Sequence, residues 1–189
     1  MEAKQTINFD AEMRGEDAIR FHTGREMVLE CMDYLTQHFH AASYNRGWWH
    51  DPITGLSLIP GQLGIDGDVS EVIQAWFPYV IATKIALIHS EVSEMLEAHR
   101  TGASDHHIPM PGITAESADV MIRIFDLMGC LEAAGIKAAG FGSFVNHPEH
   151  CPKGCEFDLG RALMLKGKVN DVRPGHALEA RRKPNGKKY

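Results

Sequence analysis

Positive charge is scarce in this chain of 189 residues. Lys and Arg number 19 against 25 Asp and Glu, and the formal charge is −6. A general nucleic-acid interface needs a broad basic face against phosphate, so no nucleic-acid partner is expected. Long apolar runs are also missing. None reaches the roughly 18 residues that span a bilayer, so no membrane segment is expected. The opening Met1-Glu2-Ala3-Lys4-Gln5-Thr6 is polar and leads into no apolar stretch typical of a secretory signal. A cytoplasmic location is expected. Cysteine is sparse: the 4 are Cys31, Cys130, Cys151 and Cys155. In a reducing compartment such residues serve as thiols or metal ligands more than as disulfides. Internal repeats, low-complexity tracts and alternating strand patterns are absent. Despite 11 histidines there is no Glu-x-x-His, the helix element of di-iron bundles, so redox di-iron chemistry is disfavoured.

Apolar residues make up 44% of the chain, enough for a buried core. Residues 16–41 read as a helix, because Phe21, Val28, Cys31, Leu35 and Phe39 recur at helical steps. Thr23-Gly24 is expected to break its first turn. Residues 43–67 hold Gly47, Pro52, Gly55, Pro60, Gly61, Gly64 and Gly67, a density of breakers that predicts a long functional loop. Asp68 and Glu71 form a capping-box pattern, and Pro78 should end or kink the piece that follows. A helix then runs from about Tyr79 to Arg100 with the stripe Ile81, Ile85, Ile88, Val92 and Leu96, stopped at Thr101-Gly102. Thr114 is the expected N-cap of a helix over 115–134, and a short helix is expected over 156–171. The class is all-α, a helical bundle. The division expected is an N-terminal helix, 1–42, and a core, 43–189, with an insertion near 136–155.

Two of these helices carry acids three residues apart, Glu91-x-x-Glu94 and Glu116-x-x-Asp119. Residues i and i+3 share a helix face. Packed antiparallel, the two pairs bring four carboxylates together, and their repulsion is relieved by a hard divalent cation. On the second helix Glu116, Asp119, Arg123 and Asp126 fall in a sector about 80° wide at 100° per residue. Val120 with Leu127 borders it on one side and Ile122 with Phe125 on the other. A polar stripe so enclosed faces other protein. Solvent exposure is the plainer reading of an isolated ExxE, and a first-turn acid such as Glu116 also suits the helix dipole.

The run Lys84-Ile-Ala-Leu-Ile-His-Ser-Glu91-Val-Ser-Glu94-Met-Leu-Glu97-Ala-His-Arg100, followed by Glu116-Ser-Ala-Asp119-Val-Met-Ile-Arg123-Ile-Phe-Asp126-Leu, resembles the MazG family of all-α nucleoside triphosphate pyrophosphohydrolases, phage-type members included. The likeness covers roughly 43–189 and is strongest from 81 to 128. It implies Mg²⁺, with Mn²⁺ able to substitute, on Glu91, Glu94, Glu116 and Asp119. It further implies release of pyrophosphate from a nucleoside triphosphate; Glu94 or Glu97 is the acid expected to take the water's proton as general base. Such proteins form dimers or larger assemblies, so a homodimer or homotetramer is expected.

Cations and aromatics complete the picture. Lys166-x-x-x-Asn170-x-x-Arg173 suits phosphate, since Arg grips it bidentately and Lys as a point charge. The resemblance adds weight there and makes Lys166 a candidate in catalysis as well. Lys84 and Arg123 join the candidate substrate contacts. Trp48 and Trp49 are adjacent and cannot both enter one core stripe, so at least one is free to stack on a base. His147, His150, Cys151 and Cys155 are ligand types for a structural Zn²⁺, although their spacing matches no common finger. The competing function is a non-catalytic helical module that binds a nucleotide or partner, with zinc as a staple.

Overall fold

The computed structural model describes residues 16–60, 67–133 and 157–172. These residues are largely helical: α1 Glu16–Asn45, α2 Gly67–Thr101, α3 Gly112–Ala133 and α4 Leu159–Val172. Among the described residues, extended pairing is limited to the isolated bridges His50↔Ser57 and Ser104↔Pro111. The all-α expectation therefore holds for them. The chain divides into two compact units. One takes in the described residues up to Met32 and from Leu159 on; the other runs from Asp33 to Asp158. The candidate acids all belong to the second unit.

In that unit α2 packs on α3. The connection between them is fixed at both ends. Gly102 takes φ +67°, the left-handed conformation that ends α2 cheaply only as glycine. The Pro111 carbonyl then accepts from the amides of Thr114 (2.8 Å) and Ala115 (3.2 Å), starting α3. The helix thus begins at Gly112, two residues before the expected cap at Thr114. A side chain at 112 would meet the Ala103 carbonyl oxygen at 2.7 Å, so only glycine fits there. The second half of α1 lies against α3 by the same device. A Cβ on Gly129 would sit 2.3 Å from the Thr36 carbonyl oxygen and 2.7 Å from His40 Cβ. Thr36 itself is buried, and its hydroxyl has one proton to share between the Asp33 carbonyl (2.9 Å) and Glu132 Oε2 (3.2 Å).

The core joins Trp49, Ile59, Phe77, Ile81, Leu127, Cys130 and Leu131. Burying each large apolar side chain of this kind contributes about 1.5–3 kcal/mol. Trp49 and Ile59 come from the loop after α1, so that segment is a structural part of the bundle. Its turns are built locally. Gly47 (φ +83°) and Gly55 (φ +71°) adopt left-handed backbone, and Asp51 accepts from the amides of Ile53 and Thr54 and the Thr54 hydroxyl.

Several expectations are corrected. Helix α1 runs unbroken through Thr23-Gly24 and on to Asn45, four residues beyond its expected end. Val28 and Cys31, assigned to its apolar face, are exposed. Pro78 lies inside α2 without ending it. A proline there removes one backbone bond, and the buried Phe77 and Ile81 anchor the helix on either side. The stripe of α2 is also displaced. Ile81 is buried, but Ile85 is 53% and Leu96 67% exposed. The packing face instead runs through Ile73, Phe77, Ile81, Lys84, Ile88, Glu91, Met95 and Ala98, all buried or half-buried. Finally, α2 from Glu71 to Thr101 is long and apolar enough to cross a membrane by length and composition, with hydropathy 1.3. Its few charges are spread thinly enough that the average passes, although no continuous apolar run does.

Candidate functional site

The face of α2 turned to α3 places Glu91 at their contact. Glu91 is only 6% exposed. Glu116 and Asp119 meet it from α3, and one carboxylate oxygen from each of the three lies within 4.8 Å of the others. Two of these carboxyls titrate above the usual range. Partial burial raises Glu116, and the charges of Glu94, Asp119, Glu91 and Asp105 add to it. Burial and the charge of Glu91 raise Asp119, while Arg123 acts the other way. Such mutual strain between carboxylates is what a divalent cation relieves. The donor set, all oxygen, suits a hard cation of the Mg²⁺ or Mn²⁺ type.

Arg123, one turn beyond Asp119, places its Nε and Nη2 on the same oxygen of Glu91, Oε1. The guanidinium holds the buried carboxylate in one orientation. Glu94 is exposed and stands outside the group of three, although its charge reaches Glu116. Glu97 is exposed too. It accepts from Arg100 Nε (2.8 Å) and Nη2 (2.6 Å), which holds it below the usual carboxylate range. The structure therefore does not bring Glu97 to the other acids. The reason is helical phase: at 100° per residue Glu97 lies about 120° around α2 from the buried Glu91, and its partner is Arg100, three residues on.

One turn further along α3, Asp126 is buried at the centre of a second polar group. Its Oδ1 accepts from Trp49 Nε1 (2.7 Å) and His40 Nδ1 (3.2 Å). Its Oδ2 accepts from Ser43 Oγ (2.7 Å) and Lys84 Nζ (3.4 Å). Burial pushes its pKa up, but the bonds from His40, Trp49 and Ser43 and the charge of Lys84 outweigh that and hold it below the usual range. Lys84 is lowered by its own burial, against the pull of Asp126. Its ammonium also sits over the Trp49 ring, 4.0 Å from the centroid, a favourable cation–π placement.

Between the two polar groups opens a cavity of about 200 Å³, lined by Phe39, Ser43, Arg46, Trp48, Lys84, Asp119, Ile122, Arg123 and Asp126. The adjacent tryptophans part company here. Trp49 is fully buried in the core, whereas Trp48 is 63% exposed and on the cavity wall. Of the other expected contacts, Lys84 and Arg123 line the cavity. Lys166 is exposed on α4, in the other unit, and Asn170 lies on the same helix. Arg173 and the zinc candidates His147, His150, Cys151 and Cys155 lie outside the described residues.

Sequence reasoning missed His40, Ser43 and Arg46. They sit three residues apart, His40 and Ser43 on the last turns of α1 and Arg46 just past its end, a spacing that would have marked one face had the helix been carried past 41. Asp105 was also missed. Its Oδ1 accepts from the amides of His107 and Ile108, both at 2.7 Å, and its charge reaches Glu116 and Asp119. No family model, curated protein or solved structure matches the chain.

Proposed function

We propose that this chain is a Mg²⁺-dependent nucleoside triphosphate pyrophosphohydrolase of the MazG-like kind, acting in control of the nucleotide pool. One observation carries this: three carboxylates within 4.8 Å of one another at the edge of a cavity that also holds cations and aromatic rings. The carboxylates of Glu91, Glu116 and Asp119 would hold the metal, with Glu94 beside them. When bound, a divalent cation supplies charge neutralisation for phosphate and a more acidic water. In the reaction a water oxygen bonds to the α-phosphorus, the bond to the bridging oxygen breaks and pyrophosphate leaves. Glu94, exposed and near Glu116, is placed to take the water's proton. Arg123 keeps Glu91 oriented.

The dimensions suit a nucleotide. Asp119 and Asp126 are seven residues apart on α3, about 10 Å along its axis at 1.5 Å per residue. A nucleoside is comparable in length, so its phosphate can lie near the acids while its base lies near Ser43 and Lys84. Phe39, Trp48 and Ile122 offer it apolar walls. Base stacking on such a ring contributes about 1–3 kcal/mol. The flank of α2 bearing Ile85, Val92 and Leu96 is exposed and fits a second copy of the chain, in keeping with a homodimer or homotetramer in the cytoplasm.

The test is pyrophosphate release from a panel of ribo- and deoxynucleoside triphosphates with Mg²⁺. Glu91→Gln and Asp119→Asn should each cut it by about 100-fold or more, as loss of a metal ligand does at least as much as loss of its supporting shell. No release from any nucleotide points instead to a non-catalytic binding module. Undiminished release in both variants removes the site assignment.

A further inference from the structure

We propose that the cavity selects nucleotides whose base presents an oxo group, rather than an amino group, on its major-groove edge: uracil, thymine, guanine or hypoxanthine over cytosine and adenine. This rests on the cavity being a nucleoside site, as proposed above.

Free hydrogen-bonding capacity differs between the two ends of the cavity. A carboxylate offers about four lone-pair sites. All four on Asp126 are used, by Trp49, His40, Ser43 and Lys84. The negative charge at the inner end of the cavity is therefore not available to read an exocyclic amine. What remains there is mostly donor. An ammonium has three N–H groups and no acceptor, and a guanidinium has five N–H groups and no acceptor. Lys84 directs one bond to Asp126 and lines the cavity. Arg46 lines it from the end of α1 and is exposed. Arg123 is committed to Glu91. The Ser43 hydroxyl gives its proton to Asp126, so its oxygen is the one weak, neutral acceptor among these groups. Asp119 is the remaining carboxylate on the wall, and it belongs to the acid group at the other end.

Base edges differ in just this respect. Guanine shows O6 and thymine O4 as acceptors, whereas cytosine shows the N4 amine and adenine the N6 amine; the N7 acceptor is common to both purines, so they differ at position 6. An oxo group facing Lys84 or Arg46 gains a charge-assisted bond. An amino group in the same place sets N–H against N–H and leaves both without a partner. One good contact of this kind is enough for roughly tenfold discrimination or more.

Two matched pairs test it: UTP against CTP, and inosine triphosphate against ATP, each differing at that edge by oxo for amino. The measurements are kcat/KM for pyrophosphate release and, separately, Kd by calorimetry on the full chain with Mg²⁺. Expected is a preference of about tenfold or more for the oxo member of both pairs. Arg46→Met, at an exposed position that does not threaten the fold, should shrink that preference severalfold and leave thermal stability unchanged. Equal or better binding of CTP or ATP overturns the selectivity. Oxo-selective binding with no hydrolysis sustains it and overturns the pyrophosphohydrolase reading. Hydrolysis without base preference does the reverse, and no binding of any nucleotide overturns both.

Discussion

Asp126→Ala is expected to be among the most destabilising single changes in the second unit. The substitution strips four donors of their shared acceptor at once. Trp49 Nε1 belongs to a side chain with no exposure, so its lost partner is not replaced by water. An orphaned buried donor costs about 1–3 kcal/mol. Lys84 is left with 13% of its side chain exposed and no carboxylate to neutralise it. Breaking a buried charge pair by removing one partner costs about 3–5 kcal/mol. The two costs overlap, since the same carboxylate serves both, and Ser43 lines the cavity, where water can reach it. A loss of about 4 kcal/mol is the expected total, against whole-domain stabilities of about 5–15 kcal/mol. Urea denaturation followed by tryptophan fluorescence measures it. A double-mutant cycle with Lys84→Met should return a coupling of roughly 1–3 kcal/mol, because removing the ammonium also removes its need for the carboxylate. The pH dependence has a definite sign. The folded pKa of Asp126 is depressed, so its contribution is complete above the ordinary value of 3.8 and is lost as pH falls through the lower folded value. The stability gap between wild type and Asp126→Asn should therefore narrow in acid below about 3.8 and stay constant from there to neutrality. A loss under about 1 kcal/mol, or a gap insensitive to acid, would refute the view of Asp126 as a fully engaged buried carboxylate.

The acid group should behave in the opposite way. Glu116 and Asp119 have raised folded pKa values, so their ionisation costs stability as pH rises above the ordinary values of 4.5 and 3.8. Glu116→Gln and Asp119→Asn are then expected to raise Tm at pH 7 in EDTA, and to abolish the Tm increase that Mg²⁺ gives the wild type; a lowered Tm in EDTA contradicts this. The two tryptophans should separate cleanly: Trp49→Ala costs about 3–5 kcal/mol in denaturant, while Trp48→Ala changes stability by less than about 0.5 kcal/mol and raises KM. Gly129→Ala forces a Cβ to within 2.3 Å of the Thr36 carbonyl oxygen and should cost about 3 kcal/mol or more by the same assay.

Helix content was legible because breakers and periodicity agreed. Gly102 stops α2 where expected, and the described segment after α1 turns at Gly47 and Gly55. The misplaced boundaries share a physical cause. Pro78 reads as a stop only if the helix depends on that one backbone bond, and burial of Phe77 and Ile81 outweighs it. Residues 42–45 hold no strong helix signal of their own. They stay helical because Ser43 and His40 are drawn to Asp126, an attraction between positions more than eighty residues apart that no local pattern contains.

The acids of α3 were legible for a reason that also explains the error on α2. On α3 the polar sector Glu116, Asp119, Arg123 and Asp126 is bounded by apolar residues on both sides, so the side that packs is the polar one. On α2 apolar residues are abundant, and the best hydrophobic stripe is not the packed face. The observed face is rotated from it by about 70° at 100° per residue. Rotation in that sense leaves Val92 and Leu96 exposed and turns Lys84 and Glu91 inward. Full burial of two such apolar side chains would contribute about 1.5–3 kcal/mol each. Lys84 and Glu91 need partners if they are to turn inward at all, and α3 supplies Asp126 for one and Arg123 for the other. Each helix thus carries one acid and one base in the complementary order, Lys84 then Glu91 on α2 and Arg123 then Asp126 on α3. Antiparallel packing matches Lys84 with Asp126 and Glu91 with Arg123. These two crossed pairs set the register of the helices, and that register is what brings Glu91 to Glu116 and Asp119. Reversing one pair, as Lys84→Asp with Asp126→Lys, keeps the charges but puts the anion on α2 and removes the ammonium from its place over the Trp49 ring. The swap should therefore recover only part of the stability lost in either single variant, and full recovery would show that the pairing of charge alone sets the register.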